Sequence, residues 1–77
     1  MRIRVECYSG YRAEERPRRL HIGERQVEVA DILARWLTPE YRYFKVLGDD
    51  GKPYLIRQPV EGNDWELLSI DGRVAPT

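Results

Sequence analysis

The side chains in this chain that could do chemistry are few and scattered. His21 is the only histidine and Cys7 the only cysteine. A metal site needs clustered ligands, and one His on the outward phase of a strand with one Cys on the inward phase of another makes no cluster. In phase with Ile3 and Val5, Cys7 reads as a small buried hydrophobe rather than a nucleophile, which would need a base beside it. Asp49 and Asp50 adjoin, followed by Gly51. Paired carboxylates can divide acid and base roles, but neighbours in a turn diverge into water, and Asp-Gly is explained by the turn it makes. The chain holds no Gly-rich phosphate loop, nucleophile elbow or HExxH motif. The reading is a protein that is not an enzyme, with no cofactor and no metal.

A different kind of chemistry is offered by Arg35, Tyr41, Tyr43, Lys45 and Arg57. Exposed aromatics interleaved with cations are what a platform for single-stranded nucleic acid uses, bases stacking on rings and cations following phosphates. Tyr, Trp and Arg are also the anchor residues of protein interfaces. If the second face of the sheet is packed away, the tyrosines are plain core. All three readings are open at this level, with a protein contact ahead of nucleic acid.

These residues must be held by strands. Residues 2–8 alternate, with Ile3, Val5 and Cys7 on one face and Arg2, Arg4, Glu6 and Tyr8 on the other, the pattern of a half-buried strand. Ser9-Gly10 breaks it, and residues 11–16 read as a polar loop. Pro17 opens the next strand, where proline is tolerated; Leu20 and Ile22 face in. Gly23-Glu24 suits a type II′ hairpin turn, and Gln26 to Val29 alternate back. Phe44 and Val46 then face in, with Tyr41, Tyr43 and Lys45 opposite. Asp49-Asp50-Gly51 turns the chain, residues 52–58 return, Pro59 stops them, and Trp65 and Leu67 lead a last strand ending near Ile70.

Residues 29–37 read two ways. Val29, Ile32, Leu33 and Trp36 have helical spacing. Strand alternation also works if Ala30-Asp31 is a β-bulge, with Ile32, Ala34 and Trp36 then facing in. Asp31 as N-cap would leave barely two turns before Pro39, so a long bent strand is the preferred reading over one short helix at 29–37. The whole is mostly β: a five- to six-stranded antiparallel meander that curls into a small, partly open SH3-like barrel to bury one face and protect its edges. Residues 1–70 form one domain and 71–77 a frayed tail. The expected core is Ile3, Val5, Leu20, Ile22, Val27, Val29, Phe44, Val46, Ile56, Trp65 and Leu67.

Size and charge narrow the functions. A 77-residue chain has one small core, which rarely supplies more than about 3–5 kcal/mol. The lone cysteine fits a reducing cytoplasm, the first strand is no signal peptide, and no apolar run approaches the roughly 20 residues of a membrane span. Formal net charge is zero but uneven: residues 1–25 hold seven Arg against four Glu, and the rest six basic against nine acidic groups. A neutral balance disfavours strong nonspecific nucleic-acid binding. Eleven of the thirteen basic residues are Arg, the cation suited to stacking and bidentate pairing.

The series Arg35-Trp36, Arg42-Tyr43-Phe44-Lys45-Val46, Asp49-Asp50-Gly51, Tyr54-Leu55-Ile56-Arg57 and Trp65-Glu66-Leu67 resembles a small uncharacterised bacterial β domain. That domain stands alone or at the C-terminus of proteins similar to Y-family translesion DNA polymerases. The similarity spans residues 16–68 and leaves the first strand outside. It implies a setting in DNA-damage tolerance and carries over no functional residues. The reading is thus a non-enzymatic cytoplasmic protein-interaction module with another protein as partner and no membrane. The alternative is an accessory single-stranded nucleic-acid-binding module in DNA-damage tolerance.

Overall fold

The computed structural model describes residues 1–8 and 16–75; the expected loop after Ser9-Gly10 lies outside them, except for Arg16. Seven strands follow in order: β1 (Arg2–Cys7), β2 (Pro17–Ile22), β3 (Arg25–Leu37), β4 (Tyr41–Gly48), β5 (Pro53–Pro59), β6 (Trp65–Ile70) and β7 (Arg73–Val74). Each pairs antiparallel with the next. The sheet expected to curl into a partly open barrel closes on itself, because β1 also pairs with β6 through Arg2↔Glu66 and Ile3↔Trp65. Six strands make the barrel and β7 is an addition to it.

The core follows the alternation. Ile3, Leu20, Ile22, Val27, Phe44, Val46, Ile56, Trp65 and Leu67 are buried, and Val5 and Val29 are half-buried against them. Trp65 meets Phe44 at a tilt of 47° with ring centroids 5.7 Å apart, a favoured aromatic geometry. Tyr54 is fully buried as well. Its hydroxyl donates to Asp50 Oδ2 at 2.5 Å, and Asp50 Oδ1 accepts the Lys52 N–H at 3.0 Å. The Asp-Gly turn therefore also supplies the acceptor for a core tyrosine. Burial works to raise the Asp50 pKa, but the Tyr54 hydroxyl, the Lys52 amide and the nearby Lys52 and Arg25 charges outweigh it and hold the carboxylate below its ordinary value. Burial, then the bond to Asp50, pushes the Tyr54 phenol up. Gly48 makes room for this arrangement. A Cβ there would stand 2.6 Å from Val27 Cγ1 and 2.8 Å from Tyr54 Cε1, closer than side chains pack.

Residues 29–37 are strand throughout, so the short helix is not formed. The expected bulge is present: Val29 pairs with Gly48 and Asp31 with Leu47, leaving Ala30 over. A second bulge was not expected. Ile32 pairs with Val46 and Ala34 with Lys45, leaving Leu33 over. One inserted residue reverses the phase of everything after it. Ile32 keeps its place against the core, but Ala34 and Trp36 turn outward, and Arg35 takes the inward phase opposite Phe44. The expectation that Ala34 and Trp36 face in is corrected by this one residue.

Residues 71–75, expected as part of a frayed tail, form a hairpin with β6. Asp71 and Gly72 both have positive φ, 52° and 80°, the requirement of a type I′ hairpin turn. They return the chain along β6, pairing Ile70 with Arg73 and Ser69 with Val74. The Ala75 N–H donates to the Leu68 carbonyl at 2.9 Å, and its side chain is buried. The expected turn at Gly23-Glu24 is found, with Gly23 alone at positive φ (60°) and Ile22 paired with Arg25, as type II′ demands.

Candidate functional site

The hairpin of β3 and β4 sets the site. Pro39-Glu40 is a two-residue turn closed by the Thr38 N–H donating to the Tyr41 carbonyl at 2.8 Å, with Thr38 Oγ1 accepting the Tyr41 N–H at 3.0 Å. Counting back from that turn places Trp36 opposite Tyr43. The ladder continues across β5 and β6, giving the outward row Trp36, Tyr43, Arg57, Glu66.

Side chains along this row touch in series. Trp36 lies flat on Tyr43, ring centroids 5.1 Å apart and planes 5° from parallel. Tyr41 tilts against Tyr43 at 6.0 Å. The Arg57 guanidinium sits 4.0 Å over the Tyr41 ring, a cation–π contact. Arg57 Nε donates to Glu66 Oε1 at 2.6 Å and its Nη1 to the Tyr43 hydroxyl at 3.4 Å. Tyr43 first, then Glu66, hold the guanidinium further above its already high pKa, against the desolvation they impose. Arg57 is thus a cation committed to its neighbours.

Of the expected site residues, Tyr41, Tyr43 and Arg57 come together. Lys45 is exposed on the same face, beside Ala34 and Leu55 in register. Arg35 is not with them: it lies opposite Phe44, on the other phase of β3 from Trp36. Trp36 and Leu37 were not expected. Trp36 is 46% exposed and Leu37 69% exposed. The register of a two-residue turn at Pro39-Glu40 was the signal that could have placed Trp36 beside Tyr43.

The outer face of β1, β2 and the first half of β3 is built differently. Glu6, Arg19 and Glu28 stand in one row. Arg19 Nε donates to Glu28 Oε1 at 2.5 Å and its Nη1 to Glu6 Oε2 at 3.1 Å. His21 Nε2 also bonds the Glu6 carboxylate. The bond to His21, helped by Arg19 and opposed by partial desolvation, holds the Glu6 carboxyl below its ordinary value. Cys7 pairs with Pro17 and Arg4 with His21, so the cysteine and the histidine sit at different rungs of the ladder. Among the described residues no three His, Cys, Asp or Glu side chains gather as metal ligands. Among the same residues no helix is long and apolar enough to cross a membrane.

No known family, curated protein or solved structure matches this chain.

Proposed function

We propose that this chain is a non-enzymatic, cytoplasmic bacterial module that binds another protein through the outer face of β3 to β5. The observation that carries this reading is the exposure of Trp36 at the head of a row whose cation is already engaged. Trp36 is held flat and half open on Tyr43, a rigid aromatic anchor of the kind interfaces concentrate energy on. Arg57 is spent on Tyr41, Tyr43 and Glu66, and a charge-neutralised guanidinium contributes little to phosphate tracking. The resemblance to domains appended to translesion polymerases supports a partner in DNA-damage tolerance.

The flat Trp36–Tyr43 stack favours one second reading, a platform for single-stranded nucleic acid. Two measurements separate them. A photo-crosslinking residue at Lys45 should give a discrete protein adduct in bacterial lysate, lost in the Trp36→Ser background, whereas one at Gln26, exposed in the row of Arg4 and His21 on the charged face, should not. Labelled single-stranded DNA and RNA, titrated at several salt concentrations, should show no binding. Salt-steep binding from which Tyr43→Ala removes about 1–3 kcal/mol without unfolding would transfer the site to nucleic acid. Adducts of equal yield from both faces would remove the protein reading.

A further inference from the structure

We infer that the edge of β3 beside Trp36 takes an added strand from the partner, one whose side chains alternate apolar and acidic. The inference rests on the protein-binding reading above and names the partner's chemistry. β2 pairs only with Arg25–Glu28 of β3. From Val29 to Leu37, β3 has β4 on one side and no strand among the described residues on the other. A shallow recess lies along this edge, lined by Arg16, Asp31, Ile32, Ala34 and Arg35. These residues come from both faces of β3, as they must if the recess follows the edge itself.

The hydrogen-bond parity of the edge is fixed. The Thr38–Tyr41 bond makes Trp36–Tyr43 and Ala34–Lys45 the bonded pairs of the β3–β4 ladder, since bonded and non-bonded pairs alternate in an antiparallel sheet. The N–H and C=O groups of Arg35 and Leu37 therefore point out of the edge. A strand added there bonds Arg35 and Leu37, the mode in which backbone gives affinity and alternate side chains give specificity.

The two faces of that strand meet opposite surroundings. On the outer side its residues fall next to Ala34 and the exposed ring of Trp36. On the other side they fall next to Arg35 and, in the same phase, Leu37, with Arg16 also lining the recess. Neither Arg35 nor Arg16 has an ion pair among the described residues, although the Arg16 guanidinium lies 5.9 Å over the Tyr8 ring. The one carboxylate in the recess, Asp31, accepts the Ile32 N–H at 2.8 Å. The recess thus holds two guanidinium groups without an ion pair among the described residues, with the apolar ring of Trp36 in the phase opposite to Arg35, and carboxylates answer guanidinium in paired, bidentate bonds.

The test uses the full chain and a short fluorescein-labelled peptide alternating Glu with Val and Phe. Its Lys-for-Glu counterpart, a scrambled peptide and single-stranded DNA are the comparisons. The alternating acidic peptide should bind saturably and slow amide exchange at Arg35 and Leu37, leaving Ala34 and Trp36 unchanged because β4 already protects them. Leu37→Pro removes an edge-facing donor at a position where a strand tolerates proline, and should abolish binding in a folded protein. Arg35→Glu should weaken binding by about tenfold or more and reverse the preference toward the Lys peptide. No saturable binding, equal binding of the Lys peptide, or no protection at Arg35 and Leu37 would overturn the inference. So would single-stranded DNA protecting the same amides. A Trp36-dependent protein adduct without peptide binding would overturn this inference alone; loss of both would remove the protein-binding reading with it.

Discussion

Two outer faces of one barrel handle their polar and apolar groups in opposite ways. On β1, β2 and the start of β3, Arg19 answers Glu6 and Glu28, and His21 answers Glu6. Glu6, Arg19, His21 and Glu28 thus satisfy one another within the face. On the end of β3 and on β4 to β6, Arg57 answers Glu66, but the row starts with Trp36 half in water. Water-exposed aromatic area costs free energy that the isolated barrel does not recover. The difference teaches where a partner would gain most. Covering the charged face would break a network that is already satisfied, whereas covering the aromatic face removes apolar surface from water.

The sharpest way to test this comparison is to set its two tryptophans side by side. Trp65 is 7% exposed beneath the aromatic row. Trp65→Ala should cost about 3–5 kcal/mol, comparable to the whole stability of so small a core, and leave the protein largely unfolded by circular dichroism at room temperature. A cooperatively melting Trp65→Ala protein would contradict the assignment of Trp65 to the core. Asp50→Ala comes next. It strips the acceptor from the buried Tyr54 hydroxyl and should cost about 1–3 kcal/mol in urea unfolding, with Tyr54→Phe in the same background recovering part of the loss. Trp36→Ala should cost only about 0.2–1 kcal/mol, the worth of a cross-strand aromatic pair at a surface. A larger loss would make the aromatic face a structural one and erase the contrast.

The smallest expected effect lies in pH and belongs to the charged face. Glu6 is held below its ordinary value of 4.5 in the folded chain, by His21 first and by Arg19. Its contribution to stability is fully present above that value and is lost as pH falls through the lower folded one. Thermal melts from neutral to acid should show the melting temperature falling in that window. Glu6→Gln should make the fall shallower but not abolish it, because Asp50 is also held low. Trp36→Ala should leave the shape of the profile unchanged. An identical acid fall in wild type and Glu6→Gln would mean the Glu6 bonds add nothing in solution.

What could be read from the chain followed local rules. Ile3, Leu20, Ile22, Phe44 and Val46 alternate with polar residues and are buried, and Gly23-Glu24 gave its turn type away. Tyr41, Tyr43 and Arg57 were legible as outward residues because they sit in clean alternation. Trp36 was not, because the bulge at Leu33 carries no residue signature of its own. Asp71-Gly72 is a typical hairpin dipeptide, but the two-residue strand that follows it is too short to show any alternation. Barrel closure through Ile3 and Trp65 depends on residues far apart in the chain, and no local pattern encodes that pairing. The Arg57–Glu66 contact depends on the register across the turn before Trp65, and is hidden for the same reason.

β6 carries a bulge as well: Ile56 pairs with Leu67 and Leu55 with Ser69, leaving Leu68 over. It lets two successive residues of β6 face the same neighbour position: Leu67 exchanges bonds with Met1, and the Leu68 carbonyl accepts from Ala75. β7 and β1 therefore lie end to end along one side of β6, as two pieces of a single antiparallel strand. Circular permutation should exploit this. A chain joined directly from Ala75 to Met1, and reopened at the Gly23-Glu24 turn, would run that strand without interruption and keep every pairing of the barrel except the turn connection that was cut.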